Sequence, residues 1–555
     1  MDLKKLSWLG MLFFIIGLSF SQVVMADGFP DIKNHWAEES IEVWLARGYV
    51  NGYPDGHFRP DDFITQAEFC ALFNRVFGFK VGADYPGKDV PEGKWYTAEM
   101  KRAIAAGYLS SDGKLDPQGI ITRKQVAISL GRVLSLSAVP RDHYSQFKDL
   151  GEIDLAAAMA INTVLDKKYM GGQLGNCFYP EQGITRAELL AVLDRVAGKL
   201  YDRPGVYGTP YDKLVIEGNV LINTRNVTLR NVAINGDLNI APGIGDGSVT
   251  LINVTVRGET KFGGGAIIND CTLGQVVVTS PYKHKIRLLA QGTTVIGLTK
   301  VRVPVILEEA NLVGQGFSEV TFNVARGSEL DLRGNFKRIV LEGVDVKLNL
   351  GCGKIDYLSL PLAAQGVRVD LAEAVDLKRV EVVCRATFTG WGNINQAFVY
   401  ARGVNFELFP EKVTVAPGIT ALVCGRVVSG TYTGEVRRDV WPYFKSNYPQ
   451  IWQVGSSGFT LSCKTNTACQ AYYVVCEAGD DSPLASQIIK GLDAFGRRLP
   501  VEYRGVINLE ANQEKSVRIG SLESDLCYNV FIVLKKQGVN MEPVVYKQKV
   551  TTRRK

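Results

Sequence analysis

Histidine is nearly absent from this chain: its 555 residues hold four, His35, His57, His143 and His284, and no pair has the His-x-x-x-His spacing. The commonest helical metal and acid–base patterns are thereby removed, and neither a metal nor a cofactor is expected. Cysteine is thinly spread, with ten residues from Cys70 to Cys527 in no framework spacing, so most read as small buried apolar side chains. Cys463 with Cys469, and Cys476 with Cys527, are the candidate bridges. Long apolar runs are missing after the N-terminus. The single one, at 6–20, follows Lys4 and Lys5 and leads to Val24-Met25-Ala26, which reads as a secretory signal peptide over residues 1–26. No later segment is long enough to span a bilayer, so no membrane span is expected after signal cleavage. No cysteine near the cleavage site offers a lipid acceptor, and the terminal VTTRRK is not a hydrophobic sorting tail. An exported protein without these anchors is released or held non-covalently.

Concentrated positive charge is also lacking. Residues 27–198 carry 19 Lys+Arg against 23 Asp+Glu, a net −4, while residues 199–555 carry 42 against 33, a net +9. Nothing is dense enough for nucleic acid, and an anion bound by the first part must meet focused sites rather than bulk charge. The length implies about three or four domains.

What the first part does have is repetition. The stretches FITQAEFCALFNRV at 63–76, IITRKQVAISLGRV at 120–133 and GITRAELLAVLDRV at 183–196 are variants of one motif. Thr65, Thr122 and Thr185 stand three residues before Glu68, Gln125 and Glu188, the spacing of a capping box. Upstream, a helix from about Trp36 places Ile41, Trp44 and Leu45 on one face and stops at Gly48 and Gly52, before the turn YPDG. Asp89 and Trp95 repeat Asp31 and Trp36, and Asp149 repeats the aspartate, but no tryptophan follows it. Units recurring at roughly 57–63 residues, each helix–loop–helix, bury a core only by packing together. The cap accounts for the threonine and the acid. It leaves open the residue after the threonine, where Arg123 and Arg186 are expected to point outward from helix ends whose amides favour a carboxylate. The first copy has Gln66 there.

Asp-x-x-x-x-Trp, Gly-Tyr-x-Asp-Gly-x-Phe-x-Pro and Ile-Thr-Arg-Ala-Glu, repeated in fixed order, make residues 27–198 resemble surface-layer homology (SLH) domains. The resemblance implies an all-α bundle of pseudo-threefold symmetry built from repeats at 27–80, 81–140 and 141–198. It further implies grooves between copies that bind an anionic, commonly pyruvylated, secondary cell-wall polysaccharide and hold the secreted protein on the bacterial cell wall. Residue by residue, it implies Arg123 and Arg186 as carboxylate ligands, Trp36 and Trp95 as groove walls, and Asp31, Asp89 and Asp149 as supporting residues. Gln66 keeps hydrogen bonding without charge and is expected to be a weak contact. Two grooves at most should be usable, each assembled from two copies.

After a linker at 199–212, residues 213–428 turn to β-branched residues, Asn and Gly. VTLRNVAINGDLNI at 227–240 is answered by VTLINVTVRGETKF at 249–262, a spacing of 22, and shorter strands follow at about 18–21. This period suits a β-solenoid of the parallel β-helix kind, with a sandwich of successive hairpins as runner-up because Asn235-Gly236 is a hairpin-type turn. The stretch resembles solenoid regions found downstream of SLH domains. Its acids (Asp237, Asp246, Glu259, Asp331, Asp345, Asp370) show no pairing at one-coil spacing, and FGGGA at 262–266 lacks the strand and lysine of a phosphate loop. No catalytic residue is therefore assigned.

Residues 429–455 are an aromatic junction, and 456–555 carry short alternating strands resembling a fibronectin type III or Ig-like β-sandwich, with Tyr528 in the tyrosine-corner position. The expectation is a multidomain, non-enzymatic surface-layer or envelope structural protein. Its partners would be the wall polysaccharide and other envelope proteins, or further copies of itself in an array. A wall-anchored carbohydrate-active enzyme and an adhesin are the alternatives.

Overall fold

A computed structural model describes residues 28–554 apart from 86, 88, 111–114, 137, 138, 140, 141, 144, 152, 174, 246, 283, 434–441, 446, 480 and 537–544. The signal-peptide segment lies outside the described residues. The chain forms two compact units: the described residues up to Arg203 with Ile216–Thr224 and Leu238–Ile244, and the remainder.

The first unit holds six helices, two per copy: α1 (Glu38–Ala46), α2 (Gln66–Val76), α3 (Thr97–Ala105), α4 (Arg123–Val133), α5 (Leu155–Asp166) and α6 (Arg186–Ala197). The second helix of each copy packs on the first helix of the next, as α2 on α3, α4 on α5 and α6 on α1. The copies therefore close a ring, and the core they share contains Trp44, Phe69, Phe73, Phe77 and Tyr108, all essentially solvent-free. Tyr108 enters this apolar setting with its hydroxyl donating to Asn74 Oδ1 at 2.8 Å, which is what makes burial of a phenol tolerable.

The expected linker is partly structured. Lys199–Tyr201 is a strand that pairs in parallel with Val220–Ile222, which pairs with Leu238–Ile240, so this unit carries a small stack of its own. Asn223 Nδ2 donates to Tyr49 Oη at 2.8 Å and to the Val76 carbonyl at 3.0 Å, fixing that stack to the bundle. A Cβ at Gly243 would stand 1.9 Å from the Gly78 oxygen, so only glycine permits the approach.

In the second unit the strands stack in parallel as a β-solenoid. Leu288, Leu307, Leu332, Leu350 and Leu371 follow one another in register and are all buried, forming an inward column. The parallel ladders exclude the hairpin sandwich; among the described solenoid strands, antiparallel pairing occurs at the end, where Thr431–Thr433 returns on Lys412–Val415 and Arg426–Val428 on Ala421–Val423. The spacing of 22 has a cause: Asn231 and Asn253 turn one corner in the left-handed region, φ 53° and 51°, and Asn253 Nδ2 donates to Asn231 Oδ1 at 2.8 Å. Asparagine accepts that conformation at low cost.

Residues 450–551 form two antiparallel sheets, of three strands and of four, whose facing side chains (Phe459, Leu461, Ala471, Val475, Val530, Ile532) share one core. Tyr528 is buried, and its hydroxyl accepts the Glu523 N–H at 3.0 Å. A short helix, α7 (Ala485–Lys490), absent from the sequence reading, interrupts the strands. The junction packs through Trp391 and Tyr443, ring centroids 5.2 Å apart, and Phe444 against Tyr546 at 4.8 Å. The thiols of Cys463, Cys469 and Cys527 are free, so neither candidate bridge is formed among the described residues.

Candidate functional site

Each second helix opens with a complete capping box: the hydroxyls of Thr65, Thr122 and Thr185 accept the N–H three residues on, and Glu68, Gln125 and Glu188 bond back. The two amides before that are used by another copy. Gln66 and Ala67 donate to the Gly119 and Pro117 carbonyls, Arg123 and Lys124 to Gln182 and Pro180, and Arg186 and Ala187 to Asp62 and Pro60. One step earlier, Ile64 donates to Ile184, Ile184 to Ile121 and Ile121 to Ile64, each at 3.1 Å, a closed triangle of backbone bonds. No amide at these helix ends is left for an external anion, which corrects the expectation of a free helix terminus.

The arginines are also placed differently from that expectation, because they lie across onto the next copy rather than outward. Arg123 is only 5% exposed; its Nε donates to the Phe178 carbonyl at 2.9 Å and its Nη2 to Gly171 at 2.6 Å. Its guanidinium carbon lies 5.0 Å from the Phe178 ring centroid, and its Nη1 stands 3.8 Å from Glu188. Burial pushes its pKa down from the usual arginine value, and Glu188 opposes this. Arg186 repeats the arrangement on the first copy, with Nε to Phe58 O at 3.1 Å and Nη2 to Asn51 O at 2.9 Å, yet remains half-exposed. It lies over Phe58 and Tyr53, 4.5 and 4.9 Å from their centroids. Gln66 is buried, and its Oε1 finds no hydrogen-bond partner.

The aspartates hold loops. Asp31 accepts the amides of Phe58 (2.9 Å) and Arg59 (2.6 Å), and Asp149 those of Phe178 (2.8 Å) and Tyr179 (2.6 Å). Asp89 accepts from Leu115 and from the Tyr85 hydroxyl. At Asp31 burial raises the pKa, but the two amide bonds outweigh it and leave the carboxyl below its ordinary value. These residues thus position the loops on which the arginines rest.

Trp36 and Trp95 are 63% and 60% exposed, unusual for indoles, with the rings of His35 and Tyr96 beside them at 5.3 and 5.6 Å. The buried positions Ile41, Met100 and Ile161, and again Tyr49, Tyr108 and Tyr169, align the copies and place exposed Ala156 where the third tryptophan would be. The ring of contacts then decides which parts meet. Copy one has Trp36 and its second loop receives Arg186; copy two has Trp95 and its second loop receives Gln66; copy three has Ala156 and its second loop receives Arg123. Only the first combines an exposed indole with a half-exposed guanidinium. Tyr53, Phe58 and the isoleucine triangle escaped the sequence reading, although the Phe before Arg59 and before Tyr179 was a visible signal.

A cyclic three-copy helical bundle is the class this geometry defines. The S-layer homology domain family model matches residues 28–70 and 146–190, which lie in the first and third copies. The second copy lies outside those matched residues but has the same helices, cap and interlock. An amylopullulanase of Thermoanaerobacterium thermosulfurigenes is 32% identical over 171 residues, 30% of this chain and 9% of that protein. A cellulosome-anchoring protein of Acetivibrio thermocellus is 41% identical over 91 residues, 16% of this chain and 20% of that protein. The S-layer protein EA1 of Bacillus anthracis is 26% identical over 193 residues, 33% of this chain and 22% of that protein. The chain thus spans less than a quarter of the length of each of these relatives. No described helix is long and apolar enough to cross a membrane.

Proposed function

We propose that the protein is a cell-surface protein held non-covalently on the cell wall, its helical bundle binding an anionic, pyruvate-bearing secondary wall polysaccharide. The observation that carries this reading is the first copy, which bears the exposed Trp36 and whose loop at Asn51–Phe58 receives the partly exposed Arg186 of the third copy. An indole face stacks on a sugar ring, and a guanidinium fork matches a carboxylate in bidentate geometry. Relatives named as an S-layer protein and a cellulosome-anchoring protein support it.

On this reading the β-solenoid and the terminal module, a fibronectin-like sandwich, are displayed as an envelope layer with other envelope proteins or further copies. They act by structure rather than by catalysis. Support comes from the way solenoid carboxylates are tied up: Glu329 and Asp331 bind Lys285 and Asn349, and Asp370 accepts from Thr389 at 2.6 Å.

The test is co-sedimentation of the whole mature chain with purified sacculi. Binding should vanish when the non-peptidoglycan polymer is extracted or its pyruvate removed; binding that survives extraction overturns the reading. Release of reducing or unsaturated sugars from wall glycans or polyuronates would overturn the non-enzymatic part alone.

A further inference from the structure

The loop that receives Arg186 carries a second cation, Arg59, at the position where the second and third copies have Asp116 and Tyr179. Arg59 lies with its guanidinium carbon 4.4 Å from the Tyr53 ring centroid, the same ring that Arg186 approaches at 4.9 Å. The two guanidinium groups are therefore under about 10 Å apart, flanking one half-buried tyrosine, and Arg59 is exposed. Its backbone is left-handed, φ 58°, and so is that of its counterpart Tyr179, φ 55°, because the aspartate clamp on each loop demands it. The clamp fixes the backbone and leaves the side chain unspecified, since the third copy serves it with tyrosine and the second has Asp116 at this place. The arginine side chain thus needs a reason other than the fold.

Its present partner is Asp55, whose Oδ2 stands 2.6 Å from Nη2, with both side chains about half-exposed. Of the other acids, Glu68 is engaged with Thr65 and the Tyr53 hydroxyl and Asp61 with His35, while the exposed Asp62 also attracts Arg59 electrostatically. An exposed ion pair of this kind contributes little to stability, roughly 0–1 kcal/mol, so an incoming anion exchanges with it readily.

Resting on the polymer-binding reading, we infer that Arg59 is a specificity-determining residue of this site. It takes a second acidic group of the glycan, a carboxylate or phosphate, while Arg186 takes the first, and Asp55 occupies its guanidinium until then. The ligand class is a glycan with two negative groups spaced to span Tyr53, rather than one carrying isolated charges.

The experiment measures binding of the whole mature chain to purified sacculi across a salt series for wild type, Arg59→Ala and Asp55→Asn. Asparagine keeps the oxygen that accepts the His57 N–H at 3.1 Å, so the turn is preserved. The expected result is about tenfold weaker binding and a shallower salt dependence for Arg59→Ala, and about threefold tighter binding for Asp55→Asn. Two variants that weaken binding alike mean that the ion pair is merely structural and overturn the inference, as does Arg59→Ala with wild-type affinity and salt slope. A wild-type chain that does not bind at all refutes the polymer reading instead.

Discussion

Arg186 and Phe58 are 128 residues apart and belong to different copies, yet the guanidinium of one lies 4.5 Å from the ring of the other and donates to its carbonyl at 3.1 Å. Arg123 stands in the same relation to Phe178 but is almost wholly buried, with Glu188 beside it. The two arginines therefore divide into a ligand candidate and a structural strut.

Separate substitution reads this division. Arg186→Ala should weaken sacculus binding at least tenfold, equivalent to about 1.4 kcal/mol. Arg123→Ala should leave two carbonyls unbonded and cost the bundle about 1–3 kcal/mol, seen as a lower melting temperature. Equal loss of binding from both variants at unchanged stability would show that both grooves work alike.

The tryptophans should separate in the same way. Trp36→Ala is expected to reduce binding by about 1–2 kcal/mol, the scale of a lost aromatic contact, while Trp95→Ala, in the copy whose loop receives Gln66 instead of an arginine, has little effect. Neither should move the melting temperature, because both indoles are exposed. A larger effect of Trp95→Ala would reassign the working groove.

Gly183 tests the isoleucine triangle. A Cβ there would meet Ile120 Cγ2 at 2.6 Å and Phe63 Cδ1 at 2.8 Å, on the axis where the three copies join. Gly183→Val should destabilise the bundle by about 1–3 kcal/mol, measured by thermal unfolding of the helical signal, by overpacking that axis. The same signal unchanged would mean that Phe63 and Ile120, both exposed, swing aside freely.

How far the sequence revealed this arrangement depends on the range of the interaction. The capping boxes were readable because Thr65 and Glu68 are three residues apart, and the solenoid because Asn231 and Asn253 recur at the coil spacing. The orientation of Arg123 was not, since a helix end looks anion-ready until Gln182 and Pro180 of the next copy supply the acceptors. Likewise, which copy's loop receives which arginine follows from the closure of the ring, and no local pattern encodes it. The same holds for the strand inside the linker: Lys199–Tyr201 pairs with Val220–Ile222, about twenty residues on, which no local pattern announces.

The solenoid should show its own acid sensitivity. Lys285 foremost, then Lys347 and Asn349, hold the Glu329 carboxyl down to about 2 from its ordinary 4.5. A depressed carboxylate contributes stability that is fully present above the unfolded value and is lost as pH falls from about 4.5 through about 2. The site is too exposed for a large effect, and salt screens it. Glu329→Gln keeps the shape and removes the charge, so its strand-band melting temperature should fall less steeply than that of the wild type over this window. The difference should shrink in 1 M salt. Parallel slopes at low salt would mean that Lys285 and Lys347 do not stabilise the ionised acid, and that the ladder on this face is held by the buried leucine column alone.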